Sequence, residues 1–169
     1  MRKNLLLKKA TTKIKRPEQT TQIGVFKHLI PLMDAQKHRK FIAYHVPNGG
    51  GRSAAEAGIL KAMGTMSGVA DITVHHGAAK KHPDDYCSCK PHGRTFFIEL
   101  KMMTMRLSKQ GPTKGQMVPV VTTQEDSQVW FESVVTALGF PYYKVEALDI
   151  PDALNKILDI IKTEGGFDW

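Results

Sequence analysis

Apolar positions along this chain switch between a helical and a two-residue period, and the switches divide it into eight elements. After Pro17, which suits a first helical turn, Ile23, Phe26, Leu29 or Ile30, and Met33 recur at helical spacing. Phe41-Ile42-Ala43-Tyr44-His45-Val46 reads as a strand. The glycine loop Pro47-Asn48-Gly49-Gly50-Gly51-Arg52 leads into Ser53, which forms a capping box with Glu56 for a helix over 53–63 that Gly64 stops. Asp71 opens the β-branched run Ile72-Thr73-Val74, and Thr95-Phe96-Phe97-Ile98 runs into Glu99-Leu100-Lys101 as a second strand. The segment between them, from His75-His76 to His92-Gly93, reads as a polar hairpin tip. Residues 102–123, with Lys109, Gly111, Pro112, Lys114 and Gly115, read as a long flexible loop. A helix over 123–138 on Val129, Val134 or Val135, and Leu138 follows, then a strand over 141–145. An amphipathic helix over 151–161, built on Leu154, Ile157, Leu158 and Ile161, ends the series.

The strand period gives this pattern its chemistry. Glu99 and Lys101 lie two apart, so they project from one face while Leu100 enters the core behind them. Asp71 converges on them if the two strands pair as neighbours. Two carboxylates can hold a hard divalent cation, and a lysine beside them can steady or deprotonate an attacking water. The plain alternative is an ion pair on a sheet surface. Glu18 stands in a first helical turn, where the helix dipole accounts for it; the other use is a further carboxylate for the same site. Arg52, on a glycine loop that opens a helix, suits a backbone-phosphate contact or a plain turn, without the spacing of a nucleotide-binding loop. Lys109 and Lys114 suit a phosphate backbone.

Charge narrows the partners. At 169 residues the length predicts one domain, and 41% apolar with 24% charged residues is ordinary for a globular protein. A net charge of +8 is not ordinary and favours polyanions, nucleic acid first and an acidic membrane surface second. Lys and Arg fill positions 2, 3, 8, 9, 13, 15 and 16, so residues 1–16 read as a flexible basic arm and 17–169 as the domain. Leu5-Leu6-Leu7 is too short for a signal-peptide core, and no apolar run reaches membrane-spanning length. Cys87 and Cys89, one residue apart, are poorly placed to bridge each other, which predicts a reduced, cytoplasmic protein with no membrane partner. With His82 and His92 they invite zinc. Common zinc sites use Cys-x2–4-Cys spacing, however, so a mobile loop is the default and a zinc-binding interaction protein the alternative.

The order of elements, with an aspartate opening one strand and Glu-x-Lys on the next, resembles the PD-(D/E)XK nuclease superfamily. Within it the chain resembles the VRR-NUC family, of the stand-alone phage or bacterial type. The resemblance rests on His45-Val46-Pro47-Asn48-Gly49-Gly50, Arg52-Ser53, Leu60-Lys61-x-Met63-Gly64, Gly68-Val69-x-Asp71, Ile98-Glu99-Leu100-Lys101, and Gln128 ahead of Gly139. It implies a restriction-endonuclease-like α/β core, a central mixed β-sheet flanked by helices. It further implies Asp71 and Glu99 as ligands of Mg²⁺ or Mn²⁺, Lys101 as the catalytic lysine and Glu18 as a supporting metal-site carboxylate. Gln128 would pack by the site, with Gln124 as the register alternative. The activity implied is metal-dependent endonucleolysis of DNA, selective for junctions, flaps or nicks in replication, repair or recombination. The alternative is a catalytically silent DNA-binding module of the same fold, and a homodimer is left open as an assembly. Ala70 stands where the superfamily has proline, and both the hairpin before Glu99 and the segment after Lys101 are longer than usual.

Overall fold

The computed structural model describes residues 17–35, 41–46, 53–77 and 93–165. These contain α1 (Pro17–Ala35), β1 (Phe41–His45), α2 (Ala54–Ala62), β2 (Ile72–Gly77), β3 (Gly93–Leu107), β4 (Met117–Val121), α3 (Asp126–Ala137), β5 (Tyr142–Ala147) and α4 (Ile150–Gly165). The basic arm, the glycine loop with Arg52, and the hairpin tip with His82, Cys87, Cys89 and His92 lie outside the described residues.

The fold is mixed α/β, with a five-stranded sheet flanked by helices. β3 is its axis. β1 pairs antiparallel with β2 and β2 with β3, whereas β5 lies parallel to β3, with Glu99 opposite Lys144. A parallel neighbour needs a crossover, and α3 is the helix on that connection. Alternation along β3 then sorts its side chains between two apolar layers. Phe96, Ile98 and Leu100 join Ile72, Val74 and Val145 in the main core with α1 and α4, through Val25, Leu29, Ile157 and Ile161. Phe97 faces the other way, into a smaller cluster with Ala70 and with Phe131 and Val135 of α3. Glu99 and Lys101 share the parity of Phe97 and so belong to the α3 side.

Three sequence-based expectations change here. Residues 102–123 are not a loop: Met102 to Leu107 continue β3, and β4 returns antiparallel beside them, with Met105 opposite Pro119. Gly111 and Gly115, both at positive φ, make the turn; these glycines, with Pro112 and two lysines, gave the segment its loop-like composition. Pro119 fits because, among the described residues, β4 is hydrogen-bonded on one side only. In α1, Ile23 and Ile30 are exposed and the buried stripe is Thr21, Gly24, Val25 and Leu29. The helix approaches α4 through its smallest residue, since a Cβ on Gly24 would meet the Ile150 side chain at 2.7 Å. Likewise α3 buries Phe131 and Val135, leaving Val129 and Leu138 exposed. No helix among the described residues is long and apolar enough to cross a membrane.

Candidate active site

Asp71 sits one residue before β2. The register pairs Ile72 with Ile98, so one step back sets Asp71 across from Glu99. Beyond the end of β2 the side chain of Asp71 takes over as acceptor: its Oδ2 receives the Leu100 N–H at 2.9 Å. Its carbonyl is held from the α1 side, accepting from Gln22 Nε2 at 3.0 Å with His45 Nδ1 2.9 Å away.

Glu99 and Lys101 are not a surface pair. They are 1% and 5% exposed, and Lys101 Nζ lies 2.9 Å from Glu99 Oε1. Gln128 completes the group, donating from Nε2 to Glu99 Oε1 and accepting from Lys101 Nζ at 2.9 Å. Its amide is oriented from behind. Gln128 occupies the third position of α3, and its Oε1 also accepts the Glu125 N–H at 2.9 Å, which leaves the NH₂ group for Glu99. Gln124, the register alternative, instead bonds Lys144 and Tyr142. The Tyr142 hydroxyl donates to Glu99 Oε2 at 3.4 Å.

Burying two carboxylates together has an electrostatic cost. Burial first, and the charge of Asp71 second, push Glu99 up to about 7 despite the Lys101 bond. Asp71 is also raised, chiefly by burial, with Leu100 N–H and Lys101 opposing and Glu18 adding to the rise. A carboxyl whose folded value is raised holds its proton more tightly folded than unfolded. The Glu99 contribution to stability is therefore lost as pH rises from its ordinary value of 4.5 toward about 7. A positive charge beside Asp71 and Glu99 would reverse that loss.

Glu18 is on this side of the molecule, close enough to act on Asp71, and its Oε1 is buried with no hydrogen-bond partner among the described residues. Such an orphaned oxygen calls for a cation or a donor. Among those residues no three His, Cys, Asp or Glu gather tightly enough to hold a metal ion together. Asp71, Glu99, Lys101 and Gln128 thus come together, with Glu18 beside Asp71. Lys109 and Lys114 do not join them; both are exposed at the turn between β3 and β4.

Three residues escaped the sequence reading as contributors. Gln22 lies one helical turn after Glu18, which was a signal for a shared face. His45 lay inside a quoted motif with no role given to it. Tyr142 had no local signal, because only the pairing of Phe97 with Tyr142 brings it to Glu99. No family model matches this chain, and searches of curated proteins and of solved structures matched nothing either.

Proposed function

We propose that this chain is a divalent-metal-dependent DNA nuclease with a PD-(D/E)XK-like core of the VRR-NUC kind. One observation carries the reading: the buried Glu99–Lys101 pair of β3 is joined by half-buried Asp71, at the mouth of β2, and Gln128 of α3, and a Glu18 oxygen near Asp71 has no hydrogen-bond partner among the described residues. The donors fit a hard cation such as Mg²⁺ or Mn²⁺, being oxygen only and both raised in proton affinity, chiefly by burial. Mg²⁺ commonly takes one or two protein carboxylates and completes its shell with water and substrate phosphate. Asp71 and Glu99 would be those carboxylates, with Glu18 in support. The ion supplies charge neutralisation at the phosphoryl group and a more acidic water. Lys101, fixed by Glu99 and Gln128, would orient that water and stabilise charge that develops in the transition state. Gln128 and Tyr142 hold Glu99 in place, and the net charge of +8 retains DNA without reading its sequence.

The same contacts favour a second reading, a silent DNA-binding module, since Lys101, Gln128 and Tyr142 already engage both oxygens of Glu99. A panel of flap, junction, nicked and linear DNAs under single-turnover conditions separates the two. The nuclease cuts with Mg²⁺ or Mn²⁺ and stops in excess EDTA. Cleavage at an undiminished rate in EDTA rules out the metal, and binding with no cleavage in any metal leaves the silent module.

Metal should also register without DNA. At pH 8 Glu99 is ionised, so Mn²⁺ at about 100 times its Kd should add roughly 2.7 kcal/mol of stability. At pH 5.5 a proton competes for the same oxygens and the gain should shrink. Asp71→Asn should abolish it at both. Equal shifts at the two pH values would place the ion elsewhere.

A further inference from the structure

The second half of β3 and all of β4 form a two-stranded ribbon, because among the described residues β4 is hydrogen-bonded to β3 alone. Side-chain alternation carries the face of Glu99 and Lys101 onward through Met103, Met105 and Leu107. Their cross-strand partners are Val121, Pro119 and Met117. One face of the ribbon is therefore wholly apolar and continuous with the catalytic face. Met105, Leu107 and Met117 remain 49%, 53% and 55% exposed. An open apolar surface of this kind marks an occupant.

Charge says which occupant. From Leu100 to Gln124 the sequence contains no Asp or Glu, while Arg106, Lys109 and Lys114 stand on the ribbon and its turn. A protein partner of ordinary mixed charge does not need a ribbon whose only charges are cationic, whereas a polyanion does. Apolar side chains flanked by cations suit DNA in one way: the lysines lie along phosphates while a Met or Leu wedges against a base step and unstacks it.

We infer that the β3–β4 ribbon is a DNA-engaging arm whose Met105–Leu107–Met117 face packs against bases exposed at a break in the duplex. The inference rests on the reading of this chain as a DNA enzyme and supplies its selectivity. Stacking is already interrupted at a nick, flap or junction, so the wedge enters there at least cost. Leu107 lies six residues along β3 from Lys101, roughly 20 Å at strand rise. The arm thus engages one part of the DNA while the cluster around Glu99 meets the backbone at another.

The test uses the full chain in EDTA and a duplex carrying 2-aminopurine beside a nick, with the same duplex sealed as comparison. Wild-type protein should raise the fluorescence of the nicked duplex and bind it at least about tenfold more tightly than the sealed one. The double variant Met105→Ser/Leu107→Ser removes only exposed side chains, so its melting temperature should not move. It should lose the fluorescence rise and the preference, and bind sealed duplex within about twofold of wild type. Lys109→Gln/Lys114→Gln should weaken both DNAs alike and lower the salt slope by about 2, the preference surviving. A serine variant that keeps the signal and the preference overturns the inference. So does a wild-type dimer that the serine variant turns into a monomer with its DNA behaviour unchanged, since the face would then be a self-association surface. Cleavage with Mn²⁺ is scored separately on the same DNAs. Metal-dependent cutting without unstacking removes the arm and leaves the nuclease; unstacking without cutting does the reverse; a protein that binds neither DNA removes both.

Discussion

Glu99→Gln should yield a protein that unfolds later than wild type at pH 8 and cuts DNA roughly 10³-fold more slowly. The two effects have one origin. At pH 8 the ionised Glu99 is buried beside Asp71, and burial together with the Asp71 charge raises it to about 7, so the ionised form costs the fold stability. Glutamine keeps the shape, still accepts from Lys101 and Gln128, and offers its NH₂ to the Tyr142 hydroxyl. It also removes the repulsion, so stability should rise by about 1 to 2 kcal/mol at pH 8, and the gain should vanish near pH 4.5, where wild-type Glu99 is protonated too. Activity falls because a neutral amide is a poor ligand for a hard cation. Lys101→Ala should also be inactive, with stability moving the other way, because it strips Glu99 of its cationic partner and leaves it with Asp71. Urea titrations at pH 8 and pH 4.5, paired with single-turnover cleavage, check both signs. A Glu99→Gln protein less stable than wild type at pH 8 would mean that the site is an ordinary buried salt bridge, with no strain set aside for a ligand.

What the chain reveals on its own follows from the range of each signal. Asp71, Glu99 and Lys101 were legible because strand parity is local and neighbouring strands in sequence commonly pair. The capping box of Ser53 with Glu56 is local as well. Of the stripe expected in α1, Leu29 is buried, but Ile23 misled because α1 is apolar on more than one side, and Gly24 meets Ile150, a partner 126 residues away, on the buried one. Tyr142 was invisible for the same reason, since a parallel strand takes its register from the sheet. The ribbon was hidden by composition: a tip of Lys, Gly and Pro outweighed the alternation on both sides of it. In α1 and at Tyr142 a long-range contact decided what a local pattern left undetermined.

Gly68→Ala should be the most damaging alanine substitution among the described glycines. Gly68 lies at φ +79°, and a Cβ there would fall within the van der Waals envelope of the Ser127 carbonyl and 2.7 Å from Gln128 N. Both neighbours are backbone at the start of α3, so no side chain can swing aside. Either the turn before Asp71 retreats or the first turn of α3 does. The first moves Asp71 from Leu100 N–H, and the second pulls Gln128 from Glu99 and Lys101. Left-handed backbone on a non-glycine residue costs about 1 to 2 kcal/mol, and overpacking typically another 1 to 3. A loss of about 3 to 5 kcal/mol is expected, with cleavage impaired even at temperatures where the variant is folded. Gly64→Ala separates the two costs. Gly64 has φ +88° but nothing within 4 Å of its Cβ position, so it should lose only the conformational part and keep its activity. Equal losses from the two alanines in urea would show that the turn and α3 do not touch, and that Gln128 is held to the site by Glu99 and Lys101 alone.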